Sequence, residues 1–236
     1  MGKVVNQFST EDKKALLFLH GYLADSNSFA YQYPAFKDSF EIFALDLKGF
    51  GKNTDMTYPY SLDDYVDDVY SFIKEKGIQK PCVIAHSFGG RVAIKLLSRY
   101  PDLFSKLVLT GSAGLKPKKT IKKTLKKAVF NTLKVLVKKE RLKGFYSKDY
   151  QNLSPVMKQS FIKVVNEHLD DRAKDIKIPT LIINGKNDKE TPPYMAKRLN
   201  RLIEGSKIIM LEDAGHFCFI DKKFKFNTEV KEFLLS

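Results

Sequence analysis

The sequence predicts an α/β domain built on a mainly parallel sheet with helices on both faces. Two observations carry this. Short, continuously apolar runs recur along the chain, as strands buried on both faces read. Between them lie amphipathic stretches at helical spacing, so strand and helix alternate.

The elements follow in order. ALLFL (15–19) is the first apolar run and ends at His20-Gly21. EIFALDL (41–47) is the second and leads into a glycine-rich turn, KGFGKN. Leu62, Tyr65, Val66, Val69, Phe72 and Ile73 fall on one face of a helix over 61–77, with Ser61 as N-cap, Asp63 and Asp64 in its first turn and Gly77 as its stop. PCVIA (81–85) is a third strand, RVAIKLLSRYP a helix ended by Pro101, and KLVLTGS (106–112) a fourth strand. Alternation resumes with strands at 178–185 and 207–213 and helices at 192–204 and 221–235. Right-handed crossovers bring the C-terminal ends of parallel strands to one edge, where such sheets bind ligands.

Residues 115–176 interrupt this rhythm. A structureless loop of that length does not belong inside a compact domain, so a helical insertion is expected. The division is a core of 1–114 and 177–236 with a basic helical cap over 115–176. In the insertion, Ile121, Leu125, Val129, Leu133 and Leu136 share one face opposite lysines. SPVMKQSFIKVVNEHL reads as a second amphipathic helix capped by Ser154.

Composition narrows the class. In 236 residues, 43% are hydrophobic and 29% charged, an ordinary globular balance. No apolar run reaches the roughly 18 residues of a membrane span, and the N-terminus lacks a secretory core. With only Cys82 and Cys218, both in apolar contexts, a disulfide framework is not expected, and the cytoplasm is the expected compartment. The net charge is +14, and residues 116–150 hold 13 Lys/Arg against 2 Asp/Glu. The excess is therefore local, and nucleic acid is not an expected partner. Residues 116–143 read first as a cap with a solvated lysine face. The second reading is weak contact with an anionic membrane. The chain holds 35 Lys and 6 Arg, few of the forks that specific phosphate recognition favours.

The stretch IAHSFGG (84–90) places Ser87 between a strand and a helix, with Ala85 and Gly89 as the small residues two positions either side. A serine hydroxyl needs a histidine base, a carboxylate to orient it and an oxyanion hole. Asp188 ends one later strand and His216 follows the next. Their order after Ser87 matches that of a strand–elbow–helix hydrolase site. The backbone N–H groups of Tyr22, in the His20-Gly21-Tyr22 loop, and of Phe88 are the expected oxyanion donors.

HGY (20–22), DLKGFGKN (46–53), AHSFGG (85–90), GKNDKETP (185–192) and AGHF (214–217) together resemble the α/β-hydrolase-fold serine hydrolases of the small esterase and carbon–carbon hydrolase type. The resemblance covers about residues 15–114 and 177–235. It implies a nucleophile elbow at Ser87, an orienting Asp188, a base at His216 and a lid formed by the insertion. Ser87 argues against the dehalogenase and epoxide-hydrolase relatives, which carry aspartate there. Ala85 stands where the usual pattern has glycine. Only 14 residues precede Ala15, so an N-terminal edge shorter than the family's hairpin is expected.

The activity this implies is cleavage of a small or medium acyl ester through an acyl-enzyme, with a small-molecule acyl substrate as partner and no metal or other cofactor. Gly21 and Phe29 are the expected substrate-binding residues. The alternatives are carbon–carbon bond hydrolysis, lipid or lysophospholipid acyl hydrolysis at an anionic membrane, and a non-catalytic ligand-binding protein. Asp213 competes with Asp188 for His216, although three residues of separation would point it elsewhere. His20 is read as ordering the oxyanion loop, His86 as structural or pocket-lining, and His168 as a solvated helix residue. Cys82 and Cys218 are read as small apolar fillers.

Overall fold

The computed structural model describes residues 5–8, 13–118 and 153–236. The amphipathic basic helix expected within 116–143 lies almost wholly outside the described residues.

Among the described residues the strands form one seven-stranded sheet: β1 (Val5–Phe8), β2 (Ala15–Leu19), β3 (Glu41–Leu45), β4 (Cys82–His86), β5 (Lys106–Thr110), β6 (Thr180–Gly185) and β7 (Lys207–Leu211). Their spatial order is β1-β3-β2-β4-β5-β6-β7. All neighbours run parallel except β1, which pairs antiparallel with β3, Val5 opposite Leu45. The N-terminal edge is thus short but carries one strand, whose four residues, VNQF, give no clear alternation in the sequence.

Successive residues of the central strands alternate between two cores, because side chains of a strand point to opposite faces. On one face Leu17, Leu19, Phe43, Leu45, Val83, Ala85, Leu107 and Leu109 pack against α2 (Leu62–Glu75) and α3 (Phe88–Arg99). On the other, Leu16, Phe18, Ile42, Ala44, Cys82, Ile84 and Val108 pack against α1 (Tyr33–Phe36) and the C-terminal helices. This two-sided burial explains why the strands read as apolar runs rather than as alternating ones.

The remaining helices are α4 (Pro155–Asn166), α5 (Asp170–Ala173), α6 (Pro193–Leu202), α7 (Cys218–Asp221) and α8 (Lys223–Leu235). α2 opens with a full capping box: the Ser61 hydroxyl accepts from the Asp64 N–H, and the Asp64 carboxylate accepts from the Ser61 N–H at 2.6 Å. Ser154 caps α4 by accepting from the Met157 N–H at 3.2 Å. α4 is held on the sheet's upper side by buried contacts. Ser160 donates to the Tyr60 carbonyl at 2.9 Å, and the buried guanidinium of Arg91 on α3 donates to the carbonyls of Val164 (2.9 Å) and Glu167. Lys95, one turn on, pairs with the Glu167 carboxylate at 2.5 Å and with Asp63 at 2.6 Å. Among the described residues no helix is long and apolar enough to cross a membrane.

Candidate active site

The parallel sheet brings the loops after β2, β4, β6 and β7 to one edge. Ser87 stands between β4 and α3 with φ +49° and ψ −106°. This left-handed region costs a non-glycine residue of order 1–3 kcal/mol, a strain the surrounding structure must hold in place. Here the Ser87 N–H donates to the Thr110 carbonyl at 3.1 Å, and the Ser87 carbonyl accepts from Ala113 (3.0 Å) and Arg91 (3.3 Å). The turn brings α3 hard against β2. A Cβ on Gly89 would lie 2.2 Å from the Leu19 carbonyl oxygen, so only glycine fits.

The loop after β2 is built around His20. Its ring is fully buried; Nδ1–H donates to the Gly21 carbonyl at 2.8 Å and Nε2 accepts from the Leu47 N–H at 2.9 Å. That backbone donor fixes the tautomer, and burial pushes the imidazole below its usual range, so His20 is neutral. It ties the loop to the DLKGFGKN turn. There Asp46 accepts from the N–H groups of Ser26 (2.8 Å) and Lys52 (3.0 Å). Burial opposes its ionisation, but these bonds outweigh it and hold the carboxyl below the usual range. That turn is architectural.

Gly21 lies against Ser87: a Cβ there would come 2.8 Å from His86 Nδ1 and 3.4 Å from Ser87 Cβ. The rings of Tyr22 and Phe88 meet edge to face at 5.4 Å, and the Gly89 N–H donates to the His20 carbonyl at 3.0 Å, so the two backbone segments lie side by side. Phe88 is the first residue of α3, where the helix supplies no acceptor for its N–H. Tyr22 also packs against Phe50 and Phe161 and donates its hydroxyl to the Met157 carbonyl at 3.2 Å, joining the loop to α4. Phe29 is elsewhere. It is wholly buried, 5.0 Å from each of Phe18 and Phe219 in the core beneath the sheet, and it lines no open surface.

Asp188 and His216 meet. His216 Nδ1 lies 2.9 Å from Asp188 Oδ2. The carboxylate also accepts from the N–H groups of Glu190 and Thr191, both at 2.9 Å, and from the Thr191 hydroxyl at 2.8 Å. Burial alone would raise this carboxyl, but the His216 and Thr191 contacts outweigh it and bring it below its usual range. Asp213 turns away: it is exposed, adopts φ +47° and lies 3.7 Å from Lys222. Thr191 and Glu190 are the participants that sequence reasoning missed. The available signal was the spacing Asp-x-x-Thr-Pro, an aspartate bonding the backbone two and three residues on before a helix start.

His86 lies beneath His216. Their rings are 4.7 Å apart, and His86 Nε2–H donates to the His216 carbonyl at 3.2 Å. Burial first, and repulsion from His216 second, push His86 down to about 3, so it stays neutral. On its other side, His216 Nε2 lies 3.4 Å from Glu190 Oε2. Among the described residues the Ser87 hydroxyl has no hydrogen-bond partner.

The other expected residues are placed as follows. Cys82 and Cys218 are buried free thiols, and burial pushes Cys218 up to about 11, so it remains a thiol. His168 is exposed, in the loop between α4 and α5 rather than in a helix. Among the described residues no cluster of three His, Cys, Asp or Glu side chains could hold a metal ion.

The sequence profile described as "alpha/beta hydrolase fold" matches residues 14–138, and one described as "TAP-like protein" matches 158–236. The AB hydrolase superfamily protein YisY of Bacillus subtilis is 26% identical, over 93% of this chain and 91% of that protein. Among solved structures, an esterase from Exiguobacterium antarcticum superposes with a TM-score of 0.80 at 24% identity, over 99% of this chain and 96% of that one. A meta-cleavage product hydrolase from Pseudomonas fluorescens superposes with a TM-score of 0.75 at 23% identity, over 99% and 94%.

Proposed function

The chain belongs to the alpha/beta hydrolase fold family, and on that premise we propose that it is a serine hydrolase that cleaves a small or medium acyl ester through an acyl-enzyme. The observation that carries the reading is the Asp188–His216 hydrogen bond of 2.9 Å at the sheet edge where Ser87 is held at φ +49°. Ser87 Oγ attacks the acyl carbon as its proton passes to His216 Nε2. The ester C–O bond then breaks and the alcohol leaves with that proton. Water repeats the sequence, its proton going to His216 and returning to Ser87 as the acid departs. Asp188 keeps His216 in the tautomer with Nδ1–H and steadies the imidazolium that forms. The N–H groups of Tyr22 and Phe88 receive the oxyanion. In this reading His216 Nε2 exchanges Glu190 for Ser87 Oγ.

Tyr22 and Phe161, half-buried beside the buried rings of Phe50 and Phe88, support an uncharged acyl or aryl group as substrate. In this reading residues 115–176 are the lid, with α4 as its anchored part. Likeness to the meta-cleavage product hydrolase favours one second reading, hydrolysis of an activated carbon–carbon bond by the same residues.

A fluorophosphonate probe tests the nucleophile. Wild type should be labelled at Ser87, and Ser87→Ala should lose labelling and about 10⁴-fold or more of esterase turnover. Unlabelled Ser87 in folded wild-type protein would remove the serine hydrolase reading. A series of nitrophenyl esters of rising acyl length separates the two substrates, since a flat, near-background series favours the carbon–carbon bond.

A further inference from the structure

The base of the proposed triad is flanked by two carboxylates, one on each ring nitrogen. Asp188 takes Nδ1 at 2.9 Å, and Glu190 stands 3.4 Å from Nε2, the nitrogen that must accept the Ser87 proton. Both belong to the one turn after β6, since the Glu190 N–H donates to Asp188 Oδ1 at 2.9 Å. We propose that Glu190 is a positioning residue that competes with Ser87 for His216 Nε2, holding the protonated base away from the nucleophile and releasing it when the ring loses its proton. The inference rests on the serine hydrolase reading.

The chemistry of the ring sets the direction. A neutral His216 with its proton on Nδ1 presents a lone pair at Nε2, which a carboxylate repels. An imidazolium presents an N–H there, which a carboxylate attracts. At 3.4 Å the contact is an ion pair rather than a well-formed hydrogen bond, so charge carries it. Glu190 is 70% exposed while His216 is 8% exposed, so the carboxylate reaches the ring from solvent and added salt screens it.

The other groups facing His216 do not duplicate this effect. Asp188 and Thr191 hold the opposite nitrogen. His86, from the end of β4, is neutral and bonds the His216 carbonyl rather than its ring. Cys218, on α7, is a thiol bound to Thr110. Asp221 accepts from the Gly215 N–H, and Asp213 faces Lys222. Glu190 alone among these offers a charge to Nε2.

The test follows the rate at which a fluorophosphonate labels Ser87 between pH 4.5 and 8.5, in wild type, Glu190→Gln and Glu190→Asp. At about 20 mM salt the acid limb of Glu190→Gln should move down by roughly 0.3–0.5 pH unit, the size of an exposed ion pair. Glu190→Asp should keep most of the wild-type position, and at about 0.5 M salt the three limbs should coincide. Superimposable limbs at low salt, or a shift that survives high salt, would overturn the role of Glu190 while leaving the nucleophile standing. Failure of the probe to label wild type at any pH would overturn the hydrolase reading, and this inference with it.

Discussion

At residue scale the site depends on a few positions where backbone geometry permits one side chain. Ser87 is held at a positive φ, and the adjoining turn is so tight that Gly89 has no room for a Cβ beside the Leu19 carbonyl. Gly89→Ala must push β2 and α3 apart. We expect it to cost about 1–3 kcal/mol, as overpacking does, read as a lowered urea midpoint; an unchanged midpoint would show that the turn can relax. The sequence announced this residue, since a small side chain two places after an elbow serine has a steric meaning. It announced Asp188 over Asp213 less firmly, because both lie at strand ends near His216. The choice fell to backbone direction: Asp213 at φ +47° points its side chain to solvent. Phe29 shows the reverse failure. An aromatic residue soon after the HGY loop reads as a pocket wall, yet the short helical turn Ser26–Phe29 rolls it under the sheet onto Phe18 and Phe219.

At the scale of elements, α3 does two tasks. Its N-terminus carries Ser87, and its Arg91, Lys95 and Arg99, each four residues apart, face α2 and the end of α4. Arg91 supplies donors to the last carbonyls of α4, which the helix itself leaves unpaired. Burial lowers Arg91 to about 10, with Glu167 opposing, so it keeps its charge. Arg91→Met should therefore leave two inward-facing carbonyls without donors and cost about 2–4 kcal/mol. Limited proteolysis within 153–167 should accelerate in that variant, while cleavage elsewhere stays at the wild-type rate; equal rates across the chain would mean that α4 is held by its apolar face alone. The helices were legible as amphipathic stripes with caps at Ser61 and Ser154. The Arg91 anchor was not, because its partners are backbone atoms more than 70 residues away.

Across the whole molecule, two buried neutral histidines make stability depend on pH. His20 and His86 both lie below their usual 6.5, His86 at about 3. A lowered histidine gives stability that is complete above 6.5, where neither folded nor unfolded chain holds the proton. It is lost as pH falls, because only the unfolded chain then takes the proton up. Between 6.5 and about 3 the loss for His86 is about 1.4 kcal/mol per pH unit. Asp46 and Asp188, lowered from 3.8, add their own losses only below about pH 4. Urea midpoints should therefore fall between pH 7 and 5, and His86→Gln should flatten that slope; a slope unaltered by the substitution would place the sensitivity elsewhere. The α/β class, six strands, the helices between them and the strand–turn–helix at Ser87 were legible along the chain, because apolar runs, helical periodicity and caps are local signals. That β1 pairs antiparallel with β3, that Asp188 takes His216, that Thr191 completes that carboxylate and that Glu190 faces His216 Nε2 came only with the folded chain. Those outcomes depend on where separate loops end up at one sheet edge, and side-chain direction across such an edge follows from packing that no local pattern encodes.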